Sequence, residues 1–274
     1  MDKAFKLTTR DGLNLAGAYT KPTSEVKGVV VIVHGMGEHI GRYEHVAGFF
    51  ANAGYATVAL DYRGHGHSEG KKGHAASLDQ LLDDIGLLLK KAEELFPDRL
   101  PILYGHSMGG NLAANFVLRR KPKLKGLVVT SPYFKLAFAP PGWKVSLAKV
   151  LASVLPSMTL PTALEAAALS RDPETIRSYT NDPLVHDKMS ASFFAVVHPA
   201  ADYAIKHASE LQVPTLVMHG TADRITAPEG SKQFAQNNPQ WITLKLWEGL
   251  YHETHNEPEK EAVLQYIIDW IRKL

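Results

Sequence analysis

Six stretches of the chain are apolar without the polar alternation of a half-exposed strand: "GVVVIVHG" (28–35), "YATVALDY" (55–62), "LPILYGHS" (100–107), "GLVVTSP" (126–132), "TLVMHG" (215–220) and "ITLKLWEG" (242–249). Strands of this kind are apolar on both faces, which suits a parallel sheet buried between two helix layers. Ahead of them, "KAFKLTT" and "LNLAGAYT" flank Arg10-Asp11-Gly12. An Asp-Gly pair between two short strand-like runs predicts a hairpin, and so an antiparallel edge on the sheet.

Between the strands the apolar period changes from continuous to helical. In "SLDQLLDDIGLLLKKAEELF" (77–96), Leu78, Leu81, Leu82, Ile85, Leu88 and Leu89 recur at helical spacing. Strands alternating with helices predict an α/β, mostly parallel, doubly wound sheet. The alternation stops between Pro132 and about Ala200, where Pro140, Pro141, Pro156, Pro161, Pro173 and Pro183 punctuate short helical stretches and no comparable strand is visible. The expected organisation is a core of residues 1–132 and 196–274 carrying a helical cap at 133–195. Within the cap, Trp143, Leu147, Val150, Leu151, Val154 and Leu155 fall on one stripe of a helix. That stripe either packs on the cap and sheet or, in part and with Leu151, lines an acyl tunnel or touches lipid.

Composition narrows the chemistry. The 274 residues hold 30 Lys and Arg against 28 Asp and Glu, a formal charge of +2, which gives no electrostatic footprint for nucleic acid. With no cysteine, thiolate metal sites, disulfides and a cysteine nucleophile are excluded. The opening "MDKAFKLTTRDG" carries no apolar segment of a secretory signal, and no apolar run approaches the roughly 18 residues of a membrane span. The expectation is a cytoplasmic protein acting on a small molecule, peripheral at most to membranes, with its oligomeric state left open.

Two segments fit the G-x-S-x-G pattern of a serine nucleophile, "GHSEG" (66–70) and "GHSMG" (105–109). A nucleophile elbow needs a strand running into a tight turn and then a helix, with glycines two residues either side where a side chain would clash. Ser107 meets this, since "PILY" leads into Gly105 and "MGGNLAANFVLRR" continues as a helix. Ser68 does not, because "RGHGHSEGKKGH" is a glycine-rich loop without a following helix. Ser107 is therefore the candidate nucleophile.

A serine hydroxyl needs a base to take its proton, and the base needs a third group to fix its tautomer. On a sheet of this type the order is serine, acid, histidine, each just past a strand. Asp223, in "HGTADRI", and His252, in "EGLYHETH", occupy those places. His255 competes less well because it lies a further turn from the strand end. Asp172, Asp182, Asp187 and Asp202 fall in or beside the insertion and read as caps or surface charges. His252-Glu253 begins like H-E-x-x-H, but the next histidine comes one residue early for a zinc site, and no metal or cofactor is implied. Oxyanion donors are expected at the amide of Met108, directly after the nucleophile, and at the amide of Met36 in "HGMGEH".

With these residues in place the chain resembles the monoacylglycerol lipases and the bacterial lysophospholipase-like esterases of the α/β-hydrolase superfamily. The resemblance spans nearly the whole chain, through "HGMGEHIGRYEHVAGFF" (34–50), "LDYRGHGHSEG" (60–70), "YGHSMGG" (104–110), "SYTNDPL" (178–184), "HGTADRI" (219–225) and "EGLYHETHNE" (248–257). It implies an inserted helical cap and a serine ester hydrolase that forms an acyl-enzyme on monoacylglycerols. It also implies that Arg42 and Tyr179 lie near the glycerol end of the pocket, and that "DYRGHGHSEG" is a structural loop beside the site. Lysophospholipids and short or medium-chain esters are the competing substrates, and a non-catalytic ligand-binding protein is the reading from another class. An aspartate nucleophile of the dehalogenase kind is disfavoured by Ser107, and no acidic cluster in the cap suggests an anchor for a peptide amino terminus.

Overall fold

The computed structural model describes residues 1–138, 142–162 and 164–274; Pro140 and Pro141 of the cap segment lie outside them. In chain order the elements are β1 (Lys3–Thr8), β2 (Asn14–Thr20), β3 (Gly28–Val33), α1 (Glu44–Asn52), β4 (Tyr55–Leu60), α2 (Leu78–Leu95), β5 (Pro101–His106), α3 (Met108–Arg120) and β6 (Gly126–Thr130). They continue as α4 (Gly142–Val154), β7 (Thr159–Pro161), α5 (Pro173–Asn181), β8 (Lys188–Ser190), α6 (Ala191–Lys206), β9 (Thr215–Gly220), α7 (Pro228–Gln236), β10 (Ile242–Trp247) and α8 (Lys260–Ile271).

Eight strands form one sheet in the order β1-β2-β4-β3-β5-β6-β9-β10. β1 and β2 are the antiparallel edge that the Asp-Gly hairpin predicts, and from β4 to β10 every neighbouring pair is parallel. The continuous apolar runs are explained by the side-chain period of two. Val29, Val31 and Val33 face a cluster built with Leu82, Leu112, Val197 and Phe234 of α2, α3, α6 and α7. Val30 and Ile32 face the opposite cluster with Phe50 of α1 and Ile267 of α8. Both faces are covered, which favours apolar side chains along the strands, with buried polar groups such as Thr57, His106, Thr130 and His219 as exceptions.

The segment between β6 and α6 departs from a purely helical insertion. β7 and β8 pair antiparallel, Thr159 opposite Ser190, as a two-stranded ribbon. Three-residue strands are too short to leave a periodic trace in the sequence. Residue 195 falls inside α6, whose Phe193 and Val197 are wholly buried in the core against α3.

The apolar stripe of α4 is not buried. Although α4 packs on α6, Trp143 is 65% exposed and Val154 71%, and Leu147, Val150 and Leu155 are exposed too, as are Phe138, Met158 and Leu160 beside them. Leu151 alone of the stripe is half-buried. Helical period locates an apolar face but says nothing of what covers it, and here the described residues leave it to solvent.

Candidate active site

At the end of β5 the chain reverses into α3 through Ser107, which takes φ +53° and ψ −118°. A non-glycine residue with positive φ is strained, and here the surroundings fix it. The Ser107 N–H donates to Thr130 O of β6 at 2.9 Å, and its carbonyl accepts from Tyr133 N–H at 2.9 Å and Asn111 N–H at 3.1 Å. The flanking glycines have no room for a side chain. A Cβ at Gly105 would stand 2.5 Å from Gly109 O, and one at Gly109 would stand 2.2 Å from Val33 O. The elbow thus presses the start of α3 against β3 and lifts the serine hydroxyl above the sheet.

Ser107 Oγ lies 2.9 Å from His252 Nε2, and His252 Nδ1 lies 2.7 Å from Asp223 Oδ2. Because a carboxylate only accepts, Nδ1 carries the proton and Nε2 keeps its lone pair toward the serine. Asp223 follows β9 and His252 follows β10, strands that stand side by side in the sheet. The Asp223 side chain is wholly buried, and its Oδ1 accepts the N–H groups of Ile225 at 2.7 Å and Thr226 at 3.0 Å. Burial opposes ionisation, but the charge of His252 and hydrogen bonds from His219 and His252 outweigh it and hold the carboxyl well below the usual carboxylate range. Burial likewise pushes His252 down, but the charge and hydrogen bond of Asp223 raise it above the ordinary imidazole value.

The loop after β3 lies against the serine, since a Cβ on Gly35 would stand 3.4 Å from Ser107 Cβ. It is held at each peptide around Met36. Gly35 N–H donates to Glu38 Oε1 at 2.5 Å, Tyr62 O–H donates to Gly35 O at 2.6 Å, and His186 N–H donates to Gly37 O at 2.9 Å. Gly37 takes φ +75°, and a Cβ there would meet His186 O at 2.2 Å. Across the site Met108 is the first residue of α3, where an N–H has no acceptor within its own helix. The Met108 amide therefore stands beside the serine at the positive end of the α3 dipole.

The remaining candidates are placed as follows. Arg42 is buried among protein groups, donating to Glu38 Oε2 at 2.7 Å and two-pronged to Glu253 at 2.7 Å, with the half-buried Tyr179 ring 4.8 Å from its guanidinium. Leu151 sits on α4 in the cap. His255 is fully buried beside Tyr43 and His106 and is pushed down to about 3 by its burial, and it makes no bond to Ser107 among the described residues. Asp172 caps α5, and Asp182 accepts from His39 Nε2 at 2.8 Å. Ser68 is bonded into its loop, accepting from Ala16 N–H at 2.8 Å and donating to Asp61 O. Two groups escape the sequence reading, His219 and Glu38, and Glu253 enters it only through the H-E-x-x-H pattern and not as the partner of Arg42. His219 stands four residues before Asp223 at the end of the same strand, a spacing that was visible, whereas Glu253 pairs with Arg42 across 211 positions and leaves no local trace.

The chain is similar to known proteins over nearly its whole length. The serine aminopeptidase, S33 family matches residues 24–259. The chain is 38% identical over 270 residues to an uncharacterized abhydrolase domain-containing protein of Dictyostelium discoideum, covering 97% of this chain but only 28% of that much longer protein. It is 36% identical over 252 residues to the monoacylglycerol lipase of Mycolicibacterium smegmatis, covering 91% of this chain and 90% of that one. The crystal structure of Paleococcus ferrophilus monoacylglycerol lipase superposes with a TM-score of 0.86 at 34% identity, covering 94% of this chain and 98% of that one. The chain belongs to the serine aminopeptidase, S33 family of α/β hydrolases and, within it, to the members that are similar to monoacylglycerol lipases.

Proposed function

We propose that the protein hydrolyses monoacylglycerols to glycerol and a fatty acid through an acyl-enzyme. The observation that carries this reading is the relay from Ser107 Oγ to His252 Nε2 at 2.9 Å and from His252 Nδ1 to Asp223 at 2.7 Å, mounted on a strained elbow. His252 takes the Ser107 proton as Oγ attacks the ester carbon, and the carbonyl oxygen becomes an oxyanion facing the amides of Met36 and Met108. His252 then gives its proton to the departing glycerol oxygen. Water enters, loses a proton to His252 and attacks the acyl carbon; the proton returns to Ser107 Oγ as the fatty acid leaves.

An ester rather than a peptide is the expected substrate. An aminopeptidase needs a free carboxylate for the substrate amine, and Glu38 and Glu253, two of the buried acids beside the site, are both engaged by Arg42. The monoacylglycerol lipases of Mycolicibacterium smegmatis and Paleococcus ferrophilus support a glycerol monoester. In this reading the segment 133–195 is a cap, Leu151 lines the acyl path, and the Arg42–Tyr179 pair borders the glycerol end. The exposed row of Phe138, Trp143, Leu147, Val150, Val154 and Leu155 supports transient contact with a lipid surface. No helix among the described residues is long and apolar enough to cross a membrane, and a cytoplasmic, peripheral enzyme is the setting we propose.

The test is catalytic efficiency, below substrate aggregation, on glycerol monoesters of increasing chain length, lysophosphatidylcholine, triacylglycerol and an aminoacyl anilide. Monoesters turned over best, with efficiency rising over several carbons and then falling, support the reading. Lysophosphatidylcholine or the anilide as the best substrate overturns it.

A further inference from the structure

The carboxylate that orients His252 carries a second imidazole. His219, at the end of β9, is fully buried, and its Nε2 lies 3.1 Å from Asp223 Oδ2, the same oxygen that accepts from His252 Nδ1 at 2.7 Å. We propose that His219 is a positioning residue for hydrolysis: an imidazole whose Nε2–H fixes the Asp223 carboxylate and shares the charge that Oδ2 presents to His252. The proposal rests on the Ser107–His252–Asp223 reading given above.

Its tautomer follows from its neighbours. Nε2 faces two acceptors, Asp223 Oδ2 and Thr226 O at 3.1 Å, so a lone pair there would be repelled by both and the proton must lie on Nε2. Nδ1 is hydrogen-bonded with the Ser231 hydroxyl of α7 at 2.8 Å. Ser231 is itself fully buried, so the ring is held at both nitrogens and cannot turn without leaving a polar group unsatisfied. The Thr226 hydroxyl also lies 2.9 Å from Oδ2 and 3.1 Å from Ser131 O.

The chemical consequence concerns a shared acceptor. A carboxylate oxygen that also accepts from His219 is less basic toward His252 Nδ1–H than one that does not, because hydrogen bonding already stabilises its charge. Removing the Nε2–H donor strengthens the pull of Asp223 on His252, raises the imidazole further and frees the carboxylate to rotate. The charged and titratable groups facing His252 are Asp223, Glu253 and His255 from the loops after β9 and β10, His106 at the end of β5, and Glu38 and Arg42 beyond β3, while Glu229 on α7 faces His219. All of these stay in place when only residue 219 is changed.

The experiment compares His219→Leu, His219→Asn and His219→Gln with wild type, with rates normalised to active serine by titration with a fluorophosphonate. Leucine removes the donor, asparagine is too short to bring its amide to Oδ2, and glutamine can place an N–H where Nε2 stands. Expected for leucine and asparagine are a kcat lower by about tenfold to a hundredfold, the scale of a slightly misplaced catalytic group, a KM unchanged, and an acidic limb of the pH profile moved to higher pH. Glutamine restores most of kcat and returns the limb. Should His219→Leu fail to fold, the asparagine and glutamine pair carries the same contrast. Wild-type kcat with an unmoved limb in the leucine or asparagine variant overturns the proposal, as does glutamine as impaired as asparagine. Ser107→Ala run alongside separates the two claims: residual activity there sinks the triad reading itself, whereas a dead Ser107→Ala beside a normal His219→Asn sinks only the role of His219.

Discussion

Arg42 and Glu253 meet through two N–H···O bonds of 2.7 Å each, and the shared Nη1 of Arg42 reaches on to Glu38. Glu38 holds the Gly35 amide of the loop that carries Met36, and Glu253 directly follows His252. One guanidinium therefore ties the loop that carries Met36 to the loop that carries His252. Replacing Arg42 by methionine leaves two buried carboxylates facing each other, a change that costs about 3–5 kcal/mol when a buried pair loses one partner. Urea unfolding of Arg42→Met is expected to show that loss together with lower kcat; a variant as stable as wild type would mean the clamp does not hold these loops.

The acidic limb of the pH–rate profile should lie above the ordinary histidine value of about 6.5. Asp223 raises His252 against the opposing effect of burial, and the base must be neutral to take the serine proton, so activity is lost as pH falls through the raised value. For stability the sign is opposite. The charged pair contributes fully below the unfolded histidine pKa, and that contribution is lost as pH rises through the folded one. Asp223→Asn should move the limb downward while kcat collapses. A limb at or below 6.5 in the wild type contradicts the electrostatics described here.

Gly109→Ala tests the elbow sterically. The added methyl would stand 2.2 Å from Val33 O and 2.4 Å from His34 O, both backbone atoms. Displacing β3 or α3 is expected to cost about 3 kcal/mol, the upper end for overpacking, and to disturb the serine. Gly48→Ala in α1, where a Cβ meets nothing within 4 Å, is the matched control and should stabilise by about 0.5–1 kcal/mol. Equal melting temperatures for the two variants would refute the close packing.

Ser68→Ala should weaken the fold without stopping chemistry. Its hydroxyl bonds Ala16 N–H and Asp61 O, joining the "GHSEG" loop to β2 and the end of β4. Leaving those groups unmatched costs about 1–3 kcal/mol. A thermal melt shifted downward with kcat within about twofold of wild type is the expected pair of results, and a loss of kcat comparable with Ser107→Ala would return Ser68 to contention.

What the sequence makes legible here is what short-range pattern encodes. The both-face apolar runs mark β3, β4, β5, β6 and β9 because each lies between two helix layers, and the strand-turn-helix context separates Ser107 from Ser68 because both neighbours of an elbow are local. Asp223 and His252 are legible through their places just past β9 and β10. Partners set by tertiary approach are not: nothing near Arg42 announces Glu253, and the four-residue step from His219 to Asp223 gains meaning only once the strand end curls both groups to one side. The α4 stripe shows the converse, since its period is plain in the sequence while its exposure depends on what the cap leaves uncovered.

Trapping the covalent intermediate tests whether Ser107 is the nucleophile of an ester hydrolase. The protein is mixed with a monoacylglycerol, quenched in acid within one turnover, digested and mapped by mass spectrometry. An acyl group is expected on the peptide containing Ser107 and is absent from Ser107→Ala. An acyl group on Ser68, or turnover of the ester with no acylated serine at any time, would contradict it.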